Sequence, residues 1–322
     1  MCFLLVAPFA FCAETSEARP TSSKQDLRFW LENMVWFHRY TAPEIAAATG
    51  LLDDEIDQSL KRFGISSASR PEKRSRDRLL VLPYPGGRHP RIGFLEGAIR
   101  PQRETKLSLF APWDDGSYVV LDLPEALWSN LGLTYLAHTH IPTIWTKRGL
   151  ELPKLEWERR ADGSFRNERA LPNGIAFGCR AWPDRDSMRA ELWLRNGSTN
   201  ALTDLRVQIC AMLKGAAGFS LQTNTNKVFE KPFAACRSSD GRRWVILAWE
   251  QCHRVWGNAP VPCLHSDPKF SDSAPGSIET LRGWFSFYEG EDIAAEFRRI
   301  RSLGWLRDVP ASSSIDSTKK HL

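Results

Sequence analysis

Two histidines that lie close together mark the first segment whose residue types could do chemistry. His138 and His140 are separated by one residue in an extended stretch, so both imidazoles project from the same side of the chain. This spacing suits acid–base chemistry with a carboxylate from elsewhere, or a metal site. The alternative is a hydrogen-bonded structural pair next to Pro142.

A second group of polar side chains lies in residues 250–267. Proton transfer at the anomeric centre of a sugar requires a base and an acid, commonly a carboxylate and an imidazole. Together with the histidine pair, these segments supply the candidate catalytic groups His138, His140, Glu250, His265 and Asp267.

Arginine and tryptophan side chains flank these segments. Arginine binds carboxylates through two parallel hydrogen bonds, and an indole face stacks on the C–H face of a sugar ring. We therefore predict a carbohydrate ligand, with an acidic sugar as one form of it. The candidate binding residues are His89, Arg91, Arg103, Trp145, Trp249, His253 and Trp256. The alternatives are internal ion pairing for the arginines and core packing for each tryptophan.

The cysteines and the first residues indicate the compartment. Residues 2–13 form a short apolar run followed by polar residues, which predicts a signal peptide over 1–13 and a periplasmic or secreted protein. No other apolar stretch is long enough to cross a membrane. In an oxidising compartment we expect a disulfide between Cys252 and Cys263, which would stabilise the fold by roughly 3 kcal/mol.

Metal ions and cofactors receive little support from motifs. Cys252, His253, Cys263 and His265 depart from the usual spacing of zinc ligands, and the oxidising compartment favours the disulfide. Fingerprints for nucleotides, nicotinamide cofactors, zincins and c-type haem are absent. The leading interpretation therefore includes no metal ion and no cofactor.

Composition limits the classes of protein that could present these groups. The chain has 322 residues, 42% of them hydrophobic, with a net charge of only +5, so a dedicated nucleic-acid binder is not expected. It contains 13 Trp and 4 Met with 21 Gly and 20 Pro. This profile favours turn-rich β structure over a helical bundle.

The first part of the chain has helical spacing. Apolar residues from Gln25 to Tyr40 predict one helix, and Thr41 with Glu44 predicts a capped start for a second. Residues 25–66 resemble a helix-turn-helix module. Four carboxylates in residues 53–57 exclude DNA as its ligand, so we expect a packing or protein-contact module. Residues 67–78 are a predicted linker.

The remainder predicts a β-sandwich domain over 79–305 and a flexible tail over 306–322. Strands are expected at 118–123, 188–195, 205–213, 244–249 and 280–288, followed by a helix at 291–301. Asn196 and Gly197 form a turn signal, which predicts that 188–195 and 205–213 pair antiparallel. The fold class is therefore mostly β, with a large antiparallel sandwich, a small N-terminal helical module and a C-terminal helix.

Four blocks carry a resemblance to a group of uncharacterised exported bacterial proteins, which implies no particular activity: residues 86–94, 101–108, 133–145 and 263–270. The segments 189–213 and 275–284 also resemble the galactose-mutarotase-like β-sandwich of sugar epimerases and of accessory domains in polysaccharide-degrading enzymes. This second resemblance implies a supersandwich of that type and a role with sugars.

The leading functional hypothesis is an exported carbohydrate-binding β-sandwich protein with epimerase-like activity or an accessory role in polysaccharide processing. One alternative is a non-catalytic scaffold whose helical module contacts another protein. A third is a histidine-based metal-binding protein that uses His138 and His140.

Overall fold

A computed structural model describes residues 18–72, 78–92, 103–113, 116–138 and 141–306 of the chain. The predicted signal peptide, His140 and residues 307–322 lie outside the described residues. In the ranges that are described, no helix has the length and apolar character needed to cross a bilayer.

Short helices form the first described part of the chain. They are α1 (Lys24–Glu32), a π-helical turn (Asn33–His38), α2 (Ala42–Thr49), α3 (Asp53–Phe63) and a 3-10 turn (Ser67–Ser69). The predicted cap is confirmed, because the Thr41 backbone N–H donates to Glu44 at 2.8 Å. Gly50 ends α2 with a φ of 78°, a conformation that glycine adopts without a steric penalty.

Two antiparallel sheets form the body of the molecule. The strands, in chain order, are β1 (Val81–Pro83), β2 (Lys106–Phe110), β3 (Tyr118–Ser129), β4 (Gly132–Leu136), β5 (Glu158–Arg159), β6 (Phe165–Ala170), β7 (Ile175–Pro183), β8 (Ser187–Asn196), β9 (Arg206–Met212), β10 (Lys227–Glu230), β11 (Phe233–Arg237), β12 (Arg243–Trp249), β13 (Cys252–Trp256), β14 (Cys263–Pro268) and β15 (Ile278–Glu289). The seven-stranded sheet has the order β1-β2-β3-β9-β14-β13, with β4 beside β3. The eight-stranded sheet has the order β10-β11-β12-β15-β8-β7-β6-β5. The predicted mostly-β sandwich is confirmed.

The inner faces of the two sheets share one hydrophobic core. Leu192 and Leu194 of β8 and Val207 and Ile209 of β9 all belong to it. The predicted pairing of these two strands is wrong: β8 pairs with β7 and β15, whereas β9 pairs with β3 and β14. Their apolar faces meet across the core rather than side by side, because alternation determines the buried face but not the hydrogen-bonded neighbour.

Helices cover parts of both outer faces. Helix α4 (Ile293–Ser302) packs on the eight-stranded sheet, where Phe297 stacks on Phe233 with ring centroids 4.6 Å apart. The π-helical turn packs on one end of the seven-stranded sheet, where His38 Nε2 lies 2.7 Å from Ser108 Oγ. Many polar side chains lie on the rest of the outer face of the seven-stranded sheet.

Candidate functional site

A row of polar side chains crosses the outer face of the seven-stranded sheet. In the strand register, Lys106 lies opposite Asp122, and Asp122 lies opposite Cys210. Farther along the same sheet, Trp256 lies opposite His265. These residues face away from the shared core because alternate side chains of each strand point to opposite faces.

Lys106 and Asp122 form a buried ion pair at the start of this row. Lys106 Nζ lies 2.9 Å from Asp122 Oδ1, and both side chains are fully buried. Thr105 Oγ1 donates to Asp122 at 3.2 Å, and His138 Nε2 lies 3.4 Å from the other carboxylate oxygen. Burial opposes ionisation of Asp122, but the Lys106 ammonium and His138 outweigh it and lower the pKa of Asp122.

A bulge in β3 brings Glu125 to the same outer face. Between Asp122 and Ala126, β3 advances four residues while the partner strand advances only two, from Cys210 to Gln208. Without this bulge, the odd separation of Asp122 and Glu125 would place them on opposite faces. The two buried carboxylates therefore lie on either side of His138 Nε2, at 3.4 Å and 3.3 Å.

Glu125 connects the two halves of the site. It is ion-paired with Arg91 and accepts a hydrogen bond from Gln208 Nε2 at 2.8 Å. Burial raises the pKa of Glu125, but Arg91, then His138 and His265, outweigh this effect and hold the pKa well below its usual range. Glu125 is therefore an anion that organises its neighbours.

His265, Asp267 and Trp256 form the other half. The Trp256 and His265 rings stack with centroids 3.9 Å apart and planes 9° from parallel. Asp267 accepts hydrogen bonds from Trp256 Nε1 at 2.7 Å, Arg254 Nε at 2.8 Å and the Ile209 backbone N–H at 3.0 Å. His265 Nδ1 lies 3.8 Å from Asp267 and 4.0 Å from Glu125.

Two sulfur atoms lie next to these groups. Arg91 Nη2 donates to Cys210 Sγ at 3.3 Å, and Cys263 Sγ lies 3.1 Å from His265 Nε2. Burial raises the pKa of the Cys210 thiol well above its ordinary value. A hydrogen bond from Cys210 lowers the pKa of Cys263.

The predicted disulfide is wrong. Cys252 lies opposite Pro268 at one end of β14, whereas Cys263 begins β14 and lies opposite Met212 of β9. Five residues of extended strand separate these positions, on the order of 16 Å, which no disulfide spans. Cys252 Sγ instead lies 3.5 Å from Ser266 Oγ, and the five cysteines of the described chain are free thiols.

A cleft lies beside the polar row and is lined by residues of β3, β9, β13 and β14. Its volume is about 270 Å³, and it is lined by Trp128, Arg206, Val207, Gln208, His253, Arg254 and Asp267. Asp267 and Gln208 belong both to the cleft and to the network around Glu125. The cleft is therefore connected by hydrogen bonds to the buried charged groups.

Several residues singled out in the sequence converge here. His138, His265, Asp267, Arg91 and Trp256 lie in or against the polar row, and His253 lines the cleft. His89 is close by: its Nδ1 accepts a hydrogen bond from the Arg91 backbone N–H at 2.9 Å. Burial lowers the pKa of His89 to about 4.

Other candidates lie elsewhere. Trp145 and Trp249 are fully buried in the shared core, and Trp145 Nε1 donates to the Thr134 carbonyl at 2.8 Å. Glu250 belongs to the eight-stranded sheet side, where it accepts from the Arg282 backbone N–H at 3.1 Å. Arg103 is ion-paired with Glu156 at 2.9 Å. For these residues the core-packing and ion-pairing alternatives describe the observed contacts.

Sequence reasoning missed contributors to both the polar row and the cleft: Lys106, Asp122, Glu125, Cys210, Trp128, Arg206, Gln208 and Arg254. A signal did exist for two of them, since Asp122 and Glu125 interrupt an otherwise apolar segment, 118–127. A carboxylate in such a segment is buried at a cost unless it is paired, which indicates a partner of opposite charge. Their convergence depends on the β3 bulge, which the sequence pattern does not show.

Comparison with known proteins gives distant similarities. No family model and no curated protein matches the chain. A protein from the human microbiome assigned as a kojibiose phosphorylase aligns with a TM-score of 0.37 and 6% identity over 59% of this chain, which spans 26% of that protein. The Slr1438 protein of Synechocystis sp. PCC 6803 aligns with a TM-score of 0.33 and 10% identity. The alignment covers 69% of this chain and 99% of that protein. A Klebsiella pneumoniae protein assigned as an aldose 1-epimerase aligns with a TM-score of 0.29 and 9% identity. The alignment covers 63% of this chain and 59% of that protein.

The strand topology and the site define the class of the protein: a two-sheet antiparallel β-sandwich with a charged network buried on the outer face of one sheet. The more specific galactose-mutarotase-like assignment stays a prediction.

Proposed function

We propose that the protein binds a carbohydrate in the cleft beside the polar row. The observation that carries this proposal is the composition of the cleft, which combines the indole of Trp128 with the polar side chains of Gln208, Arg254 and Asp267. A sugar presents an apolar C–H face and a rim of hydroxyl groups, and therefore needs both kinds of contact.

The size and charge of the cleft limit which kinds of sugar could bind there. A volume of about 270 Å³ lies just below the range of about 300–1,000 Å³ for small-molecule sites, which favours a small ligand. Arg206 and Arg254 contribute two guanidinium groups to the lining, and Arg206 is paired with Asp204 at 3.0 Å. Arg254 already pairs with Asp267, and its side chain is 52% exposed, so it can also face a ligand. Both guanidinium groups are about half exposed, and a ligand carboxylate accepts hydrogen bonds from such groups, which favours an acidic sugar, such as a uronate.

The proposal is for binding and assigns no catalytic step. Glu125 is paired with Arg91 and Gln208, and Asp267 accepts three hydrogen bonds from the protein. Asp122 and Glu125 both have lowered pKa values, so neither carries a proton to donate near neutral pH. The network is suited to holding Gln208 and Asp267 in place at the cleft.

Export is a second part of the proposal, supported by the apolar run over residues 2–13. An exported protein would meet glycans outside the cytoplasm. Cell fractionation of the full chain with a C-terminal epitope tag tests this part. Recovery only in the cytoplasmic fraction would contradict it and would leave the binding proposal to its own test.

Isothermal titration calorimetry with uronate and neutral oligosaccharides tests the binding. We expect the wild-type chain to bind a uronate more tightly than its neutral counterpart. Trp128→Ala should weaken binding by about 10-fold, since a stacked indole contributes roughly 1.4 kcal/mol. Trp182→Ala is the matched control. Both indoles are half-buried beside an arginine, Trp128 with Arg206 at 5.7 Å and Trp182 with Arg180 at 5.5 Å, but Trp182 lies in the other sheet.

Two results would overturn the proposal. One is the absence of binding by the wild-type chain across a glycan array that includes uronates. The other is an equal loss of binding in Trp128→Ala and Trp182→Ala, which would place the binding surface outside the cleft.

A further inference from the structure

We propose that Cys210, Cys263 and His265 form a binding site for a thiophilic metal ion, with Zn²⁺ as the representative probe. The ligand atoms of these three buried residues all lie within 4.8 Å of one another. Cysteine sulfur and imidazole nitrogen are the donors that Zn²⁺ prefers. None of these three residues lines the proposed carbohydrate cleft, and neither proposal depends on the other.

The three donor atoms already lie close to the spacing that a bound Zn²⁺ ion requires. With Zn–S near 2.3 Å and Zn–N near 2.0–2.1 Å, a tetrahedral ion holds its donors about 3.5–3.8 Å apart. Here Cys263 Sγ and His265 Nε2 are 3.1 Å apart, and no pair of the three donor atoms exceeds 4.8 Å. Small side-chain rotations bring all three donors to the required spacing.

The sheet itself positions the donors. Cys263 and His265 are alternate residues of β14, so their side chains share one face. In the neighbouring strand, Ala211 lies opposite Leu264 and Met212 opposite Cys263, which places Cys210 next to His265 on that same face. Backbone hydrogen bonds therefore hold the three donors together without a flexible loop.

His265 has one ring nitrogen beside the sulfur donors and the other on the side of two carboxylates. A metal-binding histidine uses one ring nitrogen for the metal and directs the other towards a polar partner such as a carboxylate. His265 Nε2 faces the sulfur of Cys263, while Nδ1 faces Asp267 at 3.8 Å and Glu125 at 4.0 Å. Trp256 stacks on the ring and fixes its plane.

The charges also suit a dication. Two thiolates would neutralise Zn²⁺. Arg91 Nη2 donates a hydrogen bond to Cys210 Sγ at 3.3 Å. Three protein donors leave a fourth position of the tetrahedron for a non-protein ligand.

A disulfide between Cys210 and Cys263 is the alternative to metal binding by these two sulfurs. Because Cys263 lies directly opposite Met212, Cys210 is its diagonal neighbour across the strands. Diagonal positions have Cα atoms roughly 7–8 Å apart, beyond the usual range for a disulfide. The register therefore favours a metal ion over a bond between the two cysteines.

Metal titration of the chelator-treated, reduced full chain tests the site. We expect one equivalent of Zn²⁺ to bind and Co²⁺ to give a thiolate charge-transfer band. Cys210→Ser and Cys263→Ser should each weaken Zn²⁺ binding by about 100-fold or more. Cys236→Ser is the matched control, since Cys236 is a buried free thiol in β11 of the other sheet, and it should bind like the wild type.

X-ray absorption at the zinc edge of the wild-type complex provides a measurement that needs no variant to fold. We expect two sulfur ligands and at least one nitrogen ligand. Failure of the wild type to bind Zn²⁺ stoichiometrically would overturn the proposal, as would fewer than two sulfurs at the ion. Equal loss of affinity in Cys236→Ser would also overturn it. Loss of sugar binding in Trp128→Ala tests the carbohydrate proposal and does not test the metal site.

Discussion

Lys106 carries an ammonium group that is fully buried and lies 2.9 Å from Asp122. Removing one member of a buried pair leaves the other charge without compensation, which costs about 3–5 kcal/mol. We therefore expect Lys106→Met to lower the free energy of unfolding by that amount in urea titrations. Adding Asp122→Asn to Lys106→Met should recover part of the loss, because the stranded carboxylate is then neutral.

An exposed lysine supplies the control for this prediction. Lys269 pairs with Asp204 at 3.2 Å, but both side chains are at least 40% exposed. Lys269→Met should change the free energy of unfolding by at most about 1 kcal/mol. A similar small loss in Lys106→Met would show that the buried pair contributes no more than a surface pair.

His38 makes stability depend on pH. Burial lowers the pKa of His38 to about 3, from 6.5 for a solvated histidine. Between these values the unfolded chain binds a proton that the folded chain does not, so stability falls as pH decreases from 6.5 towards 3, by about 1.4 kcal/mol per pH unit at most. We expect His38→Gln to reduce this slope in urea titrations between pH 6 and pH 4.

The range above pH 7 is the internal control for His38. There the imidazole is neutral in both states, so the wild type and His38→Gln should show parallel dependence on pH. His89, whose pKa burial lowers to about 4, should leave a residual slope in the variant. An unchanged slope in His38→Gln between pH 6 and pH 4 would contradict the assignment.

Residue types alone identified part of the candidate site. The sequence predicts His138, His265, Asp267 and Arg91 because acid–base chemistry needs imidazole and carboxylate groups, and binding of an acidic sugar needs guanidinium groups. Lys106 was not used, although it begins the apolar stretch 106–111, where an unpaired charge would be costly. Only the three-dimensional neighbours show which charges are paired.

At the scale of elements, the alternating strands and capped helices were predictable from local patterns. Helix α4 extends from Ile293 to Ser302, against the expected 291–301, since apolar residues at helical spacing pack on the sheet. Strand β15 likewise covers the expected 280–288. Local pattern determines these elements because it determines which side of each one is buried.

Strand partners were not predictable in the same way. The turn signal at Asn196 and Gly197 favoured a hairpin, yet the Asn196 backbone N–H donates to the Ser277 carbonyl at 3.0 Å and the chain crosses to the other sheet. Both strands bury equally apolar faces, so a hairpin and a crossover satisfy the same sequence pattern. Tertiary packing between the sheets decides between them.

At the scale of the whole molecule, the helices and the sandwich are joined by specific polar contacts. Asn33 Nδ2 donates to the Pro83 carbonyl at 2.9 Å, and the Tyr40 hydroxyl donates to the Gly86 carbonyl at 2.6 Å. Glu44 binds the Arg88 guanidinium at 2.6 Å, and this contact lowers the pKa of Glu44 to about 2. These contacts link residues 33–44 of the helical part to the end of β1 and the segment that follows it.

This linkage predicts one cooperative unfolding transition for the full chain. Circular dichroism at 222 nm reports the helices and near-ultraviolet dichroism reports the packed tryptophans, and both should give the same midpoint in urea. Tyr40→Phe removes the hydrogen bond to Gly86 and leaves a buried carbonyl without that donor, so both midpoints should shift together, with a loss of about 1–2 kcal/mol. Loss of the helical signal at lower urea than the near-ultraviolet signal would contradict a single cooperative unit, since the helices would then unfold while the sandwich remained folded.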